Sequence, residues 1–190
     1  MKIVCLLGSP RSNGNSAAIA QRFLEKAGSL GAETRIFELN RLSYRGCQAC
    51  YACKSTADHC VLDDDLSQVL EGVKDADVVV YASPVYYGDI TAQLKGFMDR
   101  TFSYLVPDYE TNPQPTRLQP GKNLLFILTQ GDPDPEHFAD IFPRYEYFLK
   151  WGGFAQIRLI RACGLGGEGA ADVSESTLQE AADAAAAIMA

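Results

Sequence analysis

No apolar run in this chain approaches the length needed to span a membrane, so neither a spanning helix nor a membrane partner is expected. Basic charge is scarce as well: 17 Lys and Arg stand against 24 Asp and Glu, a formal net charge of -7. A nucleic-acid binder needs a basic face, so no nucleic-acid partner is expected either. There is no internal repeat, no linker-like shift in composition and no sign of a second domain. Residues 1–190 therefore read as a single α/β domain, long enough for a full-sized core. The opening ten residues are too short for a signal-peptide h-region and read as a buried strand. Without an export signal, the six cysteines are expected as reduced thiols or metal ligands instead of a disulfide framework. The expected compartment is the cytoplasm.

Five short apolar runs, at 2–7, 33–39, 77–82, 123–129 and 156–163, alternate with helical patterns. Ala20, Phe23, Leu24 and Ala27 form one stripe, and Leu66, Val69, Leu70 and Val73 a second. Leu94, Met98, Thr101, Phe102 and Leu105 recur at helical spacing and predict a third, continuous helix. An Ala-rich last helix is expected around 178–189. Such alternation implies a parallel sheet covered on both faces, a three-layer α/β fold. With five strands the expected order is 2-1-3-4-5, which is flavodoxin-like. Two segments interrupt the pattern. Residues 40–63 carry the cysteines, and in 106–121 the prolines Pro107, Pro113, Pro115 and Pro120 predict an extended loop.

Cys47, Cys50, Cys53 and Cys60 are spaced C-x2-C-x2-C-x6-C. Thiolates this close can converge on one soft metal centre. Tight C-x2-C-x2-C runs with a fourth Cys nearby hold cubane clusters in ferredoxin-type proteins. Zinc sites more often pair two C-x2-C knuckles across a longer gap, and four free thiols are the plainest alternative. The spacing favours a centre that handles electrons. Cys5 lies mid-strand and reads as a small core residue. Cys163 closes the fifth run and is not assigned to the centre.

The first strand runs into Gly8, Ser9, Pro10, Arg11, Ser12, Asn13, Gly14, Asn15 and Ser16, and then into a helix. Backbone N–H groups at a helix start, small hydroxyls and one arginine suit a phosphate dianion, and Asn15 or Ser16 can cap the helix. No Gly-Lys-Ser/Thr follows, which excludes a Walker A loop. A capped polar turn would account for Asn15 and Ser16 but not for the clustering of Ser9, Arg11, Asn13 and Ser16. The third strand ends in Pro84, Val85, Tyr86, Tyr87, Gly88 and Asp89. In the 2-1-3-4-5 order the first and third strands flank the switch point where ligands bind. Tyr86 and Tyr87 would line a planar ring, with the N–H groups of Val85 to Gly88 facing its polar edge. The alternative is an ordinary surface turn. Thr129, Gln130, Gly131 and Asp132, after the fourth strand, would supply a third wall.

The GSPRSNGNS loop, the SPVYYGDITAQLKGFMDR segment and the CQACYAC…C…DDD stretch resemble the NAD(P)H-dependent FMN reductase superfamily. Within it they resemble the iron–sulfur flavoproteins. The resemblance covers nearly the whole chain, and the four-cysteine motif is its specific part. It implies FMN held by three loops. Ser9, Arg11, Asn13, Asn15 and Ser16 would hold the phosphate, Pro84, Val85, Tyr86, Tyr87 and Gly88 the isoalloxazine, with Thr129 and Gly131 in the third wall. It also implies a 4Fe-4S cluster on Cys47, Cys50, Cys53 and Cys60, and a homo-oligomer, dimer or tetramer, with flavin sites near subunit interfaces.

The function so implied is that of an FMN-dependent oxidoreductase. It would pass electrons between cluster, FMN and a small-molecule or redox-protein partner such as a ferredoxin, with NAD(P)H a candidate donor. Catalysis would rest on the flavin N5, with no side chain needed as general base. The alternatives are an NAD(P)H-dependent FMN or quinone reductase without a cluster, a non-enzymatic flavodoxin-like electron carrier, and a zinc knuckle on an FMN-binding scaffold. Because they follow the second strand, the cysteines are expected on the same face as the FMN loops. The aromatic-rich stretches 102–109 and 138–151 offer apolar surface for an oligomer contact.

Other residues have structural readings. One of Asp63, Asp64 and Asp65 is expected to cap the following helix. His59 is expected to face solvent and His137 to start a helix. Residues 164–169 match G-x-G-x-x-G, but a dinucleotide site needs a further strand ending in an acidic residue, and none follows. The stretch therefore reads as a flexible loop, and any NAD(P)H would stack on the flavin.

Overall fold

Strands covered on both faces read as near-continuous apolar runs, whereas edge strands tolerate polar residues. The computed structural model describes residues 1–166 and 171–190 and follows this rule. Its strands are β1 (Lys2–Leu7), β2 (Glu33–Glu38), β3 (Val78–Pro84), β4 (Asn123–Thr129) and β5 (Gln156–Ala162). The inner three are almost wholly buried, while β2 and β5 expose most of one face. All pairings are parallel and the order is β2-β1-β3-β4-β5, the flavodoxin-like arrangement expected.

Residues two apart on a strand share a face, and this parity sorts the core into two layers. Ile3, Cys5, Val78, Val80, Leu125 and Ile127 face α1 (Asn15–Ser29) and the C-terminal helix. Val4, Leu6, Val79, Tyr81, Leu124 and Phe126 face the other layer. A short helix, α2 (Ala52–Ser55), sits inside the cysteine segment. The second layer is built from α3 (Leu66–Asp75), α4 (Ala92–Arg100) and α5 (Ile141–Trp151). The last helix, α6 (Glu175–Met189), buries Ala181, Ala182, Ala184 and Ala185, small enough to lie close against α1. Cys5 is fully buried, as a core residue should be. No helix among the described residues is long and apolar enough to cross a membrane.

Several local expectations are corrected. The third helix stops at Arg100, and Thr101–Tyr104 tightens into a 3-10 turn. The Thr101 hydroxyl donates back to the Met98 carbonyl at 2.7 Å, a local bond that competes with helix continuation. Leu105 then pairs with Thr116 as an isolated bridge, so the proline-rich segment closes on itself instead of running extended. Gly14, not Asn15 or Ser16, occupies the N-cap of α1, and the Asn15 carboxamide oxygen instead accepts from the Asp172 N–H at 2.8 Å. Asp64 accepts from the Leu66 N–H at 3.1 Å, whereas Asp65, at the N-cap of α3, accepts from the Ser43 N–H at 2.6 Å. His137 lies in a turn, and α5 begins only at Ile141. β3 is offset by one residue at its start and runs on to Pro84; β2 ends at Glu38, β5 at Ala162 just before Cys163, and α6 starts earlier, at Glu175. Of the glycine-rich stretch, residues 167–170 lie outside the described residues.

A tight approach lies where β1 ends. A Cβ on Gly8 would stand 2.8 Å from Thr91 Oγ1 and 2.9 Å from Leu94 Cβ. Thr91 Oγ1 donates to the Gly8 carbonyl at 2.8 Å and accepts from the Leu94 N–H at 3.3 Å, capping α4. Gly8→Ala is therefore expected to destabilise the protein by about 1–3 kcal/mol, the usual range for overpacking. A urea midpoint equal to wild type would contradict this close packing.

Candidate functional site

A cleft of about 190 Å³ opens at the carboxyl ends of β1, β3 and β4. It is lined by Ser9, Arg11, Asn15, Ser16, Pro84, Val85, Tyr86, Thr129 and Gly131, together with Leu165 and Gly166. The structure thus brings together most of the residues singled out in the sequence. Asn13, Tyr87 and Gly88 stand outside the lining. Tyr86 and Asp89 exchange backbone hydrogen bonds at 2.8 and 3.1 Å, closing a two-residue turn with φ of +54° at Tyr87 and +78° at Gly88. Positive φ at both central positions marks the I′ geometry, and it puts the Tyr87 side chain fully in solvent.

The cleft is rich in hydroxyls. Ser16 and Thr129 are only 2% and 4% exposed. Neither side chain makes a hydrogen bond to another described residue. Among the described residues no fully enclosed side-chain N or O lacks a partner, so these hydroxyls open onto the cleft. Ser9 Oγ accepts from the Arg11 N–H at 3.0 Å, which folds the loop over the start of α1. With glycine at the N-cap, no side chain among the described residues occupies the N–H groups of the first turn. A helix start with open N–H groups and its positive dipole end suits an anion. The outer side of the loop is tied down separately: the Ser12 hydroxyl donates to Glu38, which also pairs with Arg41 Nε at 2.9 Å.

The third wall is set from below by Gln130, 3% exposed. Its amide donates to the carbonyls of Asp132 and Asp134, at 3.0 Å each, and its oxygen accepts from Arg161 Nη2 at 2.6 Å. His137 meets Asp132 at 2.8 Å. That hydrogen bond holds the Asp132 carboxyl below, and the His137 imidazole above, its ordinary range. Leu165 N–H donates to the Gln130 carbonyl at 2.9 Å, and this places Leu165 and Gly166 on the rim. Sequence reasoning passed over both residues. The available signal was that the carboxyl end of β5 shares an edge with the other strands.

Cys47, Cys50, Cys53 and Cys60 line a separate cavity of about 380 Å³ with Asp99, Arg100, Phe102 and Ser103. All are free thiols; Cys53 is buried, Cys60 half-buried, Cys47 and Cys50 exposed. Among the described residues no three His, Cys, Asp or Glu side chains are gathered closely enough to hold a metal ion. Two non-glycine residues within the motif, Ala49 and Tyr51, adopt positive φ of 50° and 56°. Each such conformation costs on the order of 1–3 kcal/mol and is retained chiefly at functional sites.

The surroundings of the sulfurs are cationic. Arg100 Nε donates to Cys60 Sγ at 2.9 Å, and Lys54 Nζ lies 3.6 Å from Cys53 Sγ. The Lys54 ammonium also rests 4.0 Å from the centre of the Phe102 ring and donates to the Leu105 carbonyl at 2.8 Å. Burial lowers its pKa. The Arg100 side chain is fully buried and pairs with Asp64 at 2.8 Å, with further bonds to the carbonyls of Arg45 and Leu62 at 2.9 and 3.2 Å. Burial alone would raise the Asp64 carboxyl, but the hydrogen bonds from Arg100 and the Arg45 N–H outweigh it and hold it low. Soft sulfur donors with a cation beside Cys60 and another beside Cys53 suit an anionic centre.

The position of this cavity corrects an expectation. Thr91, at the start of α4, touches the phosphate-type loop, whereas the cysteines pack against Arg100 and Phe102 at its far end. After β2 the chain runs back along α4: Tyr44 reaches the Gln93 carbonyl at 2.7 Å, and only then does Arg45 meet Arg100. At 1.5 Å per residue, α4 sets the two sites about 13 Å apart along its axis.

A family described as NADPH-dependent FMN reductase matches residues 1–134. The chain is 40% identical over 101 residues to an iron-sulfur flavoprotein of Methanosarcina thermophila, covering 53% of this chain and 52% of that protein. It is 35% identical over 134 residues to an iron-sulfur flavoprotein of Methanocaldococcus jannaschii, covering 70% and 63%. The chain spans about half the length of the first of these curated relatives. In fold it is similar to an NAD(P)H:quinone oxidoreductase from Methanothermobacter marburgensis, with a TM-score of 0.77, 20% identity and coverage of 99% and 96%. It is also similar to an FMN-dependent NADH-azoreductase from Bacillus anthracis in complex with FMN, with a TM-score of 0.72, 16% identity and coverage of 100% and 99%. At such identities the structural likeness shows the fold alone.

The buried Arg100–Asp64 pair gives a direct expectation. Asp64→Asn leaves the guanidinium without its carboxylate and should destabilise by about 3–5 kcal/mol. The pair's stabilisation is fully present above the ordinary Asp pKa of about 3.9 and is lost as pH falls through the lower folded-state value. Acid unfolding monitored by circular dichroism should therefore start from a less stable protein in the variant and lose this component of its pH dependence. An unchanged acid transition would contradict the pairing.

Proposed function

The chain belongs to the NADPH-dependent FMN reductase family, and on that premise we propose an FMN-dependent oxidoreductase of the iron–sulfur flavoprotein kind. The observation that carries this reading is the cleft where β1 and β3 part, with two buried hydroxyls aimed into it and an open helix start behind. Ser9, Arg11, Asn15 and Ser16 would hold the FMN phosphate, with Asn13 on the outer loop. Pro84, Val85 and Tyr86 would meet the isoalloxazine, with Tyr87 and Gly88 at its open side and Thr129 and Gly131 beneath. FMN supplies hydride and single-electron transfer at its N5, and the protein positions it and tunes it. The cleft alone is below the ~300–1,000 Å³ of most ligand pockets, so part of a bound FMN would lie outside it, beside half-exposed Tyr86, open to NAD(P)H or another small-molecule donor or acceptor.

The four cysteines fit a 4Fe-4S cluster by donor chemistry and by the cations around them, and the names of the curated relatives point the same way. Binding would draw Cys47 and Cys50 in towards Cys53 and Cys60, as is usual where a metal completes a loop. Such a centre passes single electrons, so a redox protein of the ferredoxin type is the proposed partner. Reduced thiols fit a cytoplasmic setting. Exposed Tyr147 on α5 fits a homo-oligomer contact. A second reading, an NAD(P)H-dependent FMN or quinone reductase without a cluster, is favoured by the absence of a gathered ligand set among the described residues.

Ser16→Ala should weaken FMN binding by roughly ten- to a hundredfold, since a hydrogen bond to a charged group contributes about 1.5–3 kcal/mol. Flavin fluorescence titration of apoprotein reads this, and unchanged affinity would contradict the phosphate assignment. Anaerobically purified protein should contain iron and sulfide near about four each per subunit. Serine at any of Cys47, Cys50, Cys53 or Cys60 should sharply lower both and leave FMN in place, whereas serine at Cys5 or Cys163 should not. Stoichiometric zinc, or NAD(P)H turnover indifferent to all four changes, would select the reductase without a cluster.

A further inference from the structure

A third cavity, of about 360 Å³, lies between α4 and α5 on the far side of the sheet's second layer. Its size falls within the ~300–1,000 Å³ typical of small-ligand pockets. At its floor is Tyr81, 1% exposed, with Phe97, Phe126 and Phe154 edge-on at 5.8, 6.1 and 6.4 Å. The Tyr81 hydroxyl makes no hydrogen bond to another described residue. Among the described residues no fully enclosed side-chain N or O lacks a partner, so this hydroxyl faces the cavity space. Burial pushes its pKa up, so it stays a neutral phenol able to donate. The cavity's charged groups, Lys95 and Asp99, already pair with each other at 2.5 Å. Trp151 lines the cavity and is partly exposed.

We propose that this cavity is a second binding site, for a neutral, flat aromatic molecule with a carbonyl or hydroxyl oxygen at its leading edge. Aromatic walls favour a flat apolar body, the unpartnered hydroxyl calls for one oxygen at the deep end, and the self-paired Lys95 and Asp99 leave no charge for an ionic ligand. The site shares no lining residue with the cleft at β1 and β3, so it is not a continuation of the flavin site. It does share Asp99 and Phe102 with the cysteine cavity, so the two cavities adjoin across these residues.

The test uses 1-indanone and indane, two bicyclic probes of the same shape that differ by the carbonyl. Trp151 is the sole tryptophan and reports occupancy by its emission, with calorimetry as the independent readout. Both probes should bind saturably at one site without shifting the visible flavin spectrum. Tyr81→Phe should weaken 1-indanone about three- to tenfold, the loss of one neutral hydrogen bond, and change indane less than about twofold. Met98→Trp, which fills the cavity from α4, should abolish the calorimetric binding of both while thermal melting confirms the fold. The proposal falls if neither probe saturates, or if Tyr81→Phe weakens the two equally. It also falls if binding appears only on dilution to a species that sediments as a monomer, because the occupant would then be a side chain of a second copy.

Discussion

Thr91 is fully buried at the meeting point of three segments, and the geometry of the functional edge depends on it. Its hydroxyl holds the Gly8 carbonyl, its own N–H donates to Ser83 Oγ at 3.0 Å, and it caps α4 through the Leu94 N–H. The ends of β1 and β3 are thereby fixed on either side of the switch point, and α4 leaves from that point in one direction. Gly8 is required because the contact tolerates no Cβ. The width of the cleft follows from this junction. So does the course of α4, whose far end carries Arg100 to the cysteines and Met98 to the aromatic cavity.

The electrostatics reverse sign between surface and interior. The chain carries a net charge of -7, yet Arg100 lies against Cys60 Sγ and Lys54 near Cys53 Sγ, with Arg117 behind. Arg117 donates to the Cys53 carbonyl at 3.2 Å, so it steadies the chain that presents the thiol. Burying a guanidinium is expensive unless it is paired and hydrogen-bonded. Arg100 meets that condition with Asp64, two backbone carbonyls and Cys60 Sγ. A buried cation held against a cysteine sulfur is hard to account for by packing alone, and it is what the proposed anionic centre would select.

Much of the fold was legible because its signals are local. β1 and β4 matched their apolar runs residue for residue, and the stripe Leu66, Val69, Leu70, Val73 is the buried face of α3. The loops at Ser9 to Ser16 and Pro84 to Tyr86 were legible because strand order fixes which loops meet. What failed depended on contacts distant in sequence. The stripe running on to Leu105 gave no sign that the Thr101 hydroxyl would end the helix at Arg100. Nor did it reveal Arg100 itself, whose buried role depends on Asp64 and Cys60, some forty residues earlier. The path of the cysteine segment was misjudged for the same reason. Topology fixes where β2 ends, but not that Tyr44 and Arg45 would then track down α4. Leu165 and Gly166 were hidden in a stretch whose glycine pattern pointed to a different kind of site.

The central claim is that two chemically distinct sites occupy opposite ends of α4, an anion cradle at the start of α1 and a four-cysteine pocket beside Arg100. A crystal structure of anaerobically prepared, FMN-loaded protein tests it most directly. The account predicts the FMN phosphate within hydrogen-bonding distance of Ser9 and Ser16, and Cys60 Sγ still hydrogen-bonded to Arg100 about one α4 length away. An FMN phosphate seated at the cysteine cavity, or anywhere other than the start of α1, would contradict it.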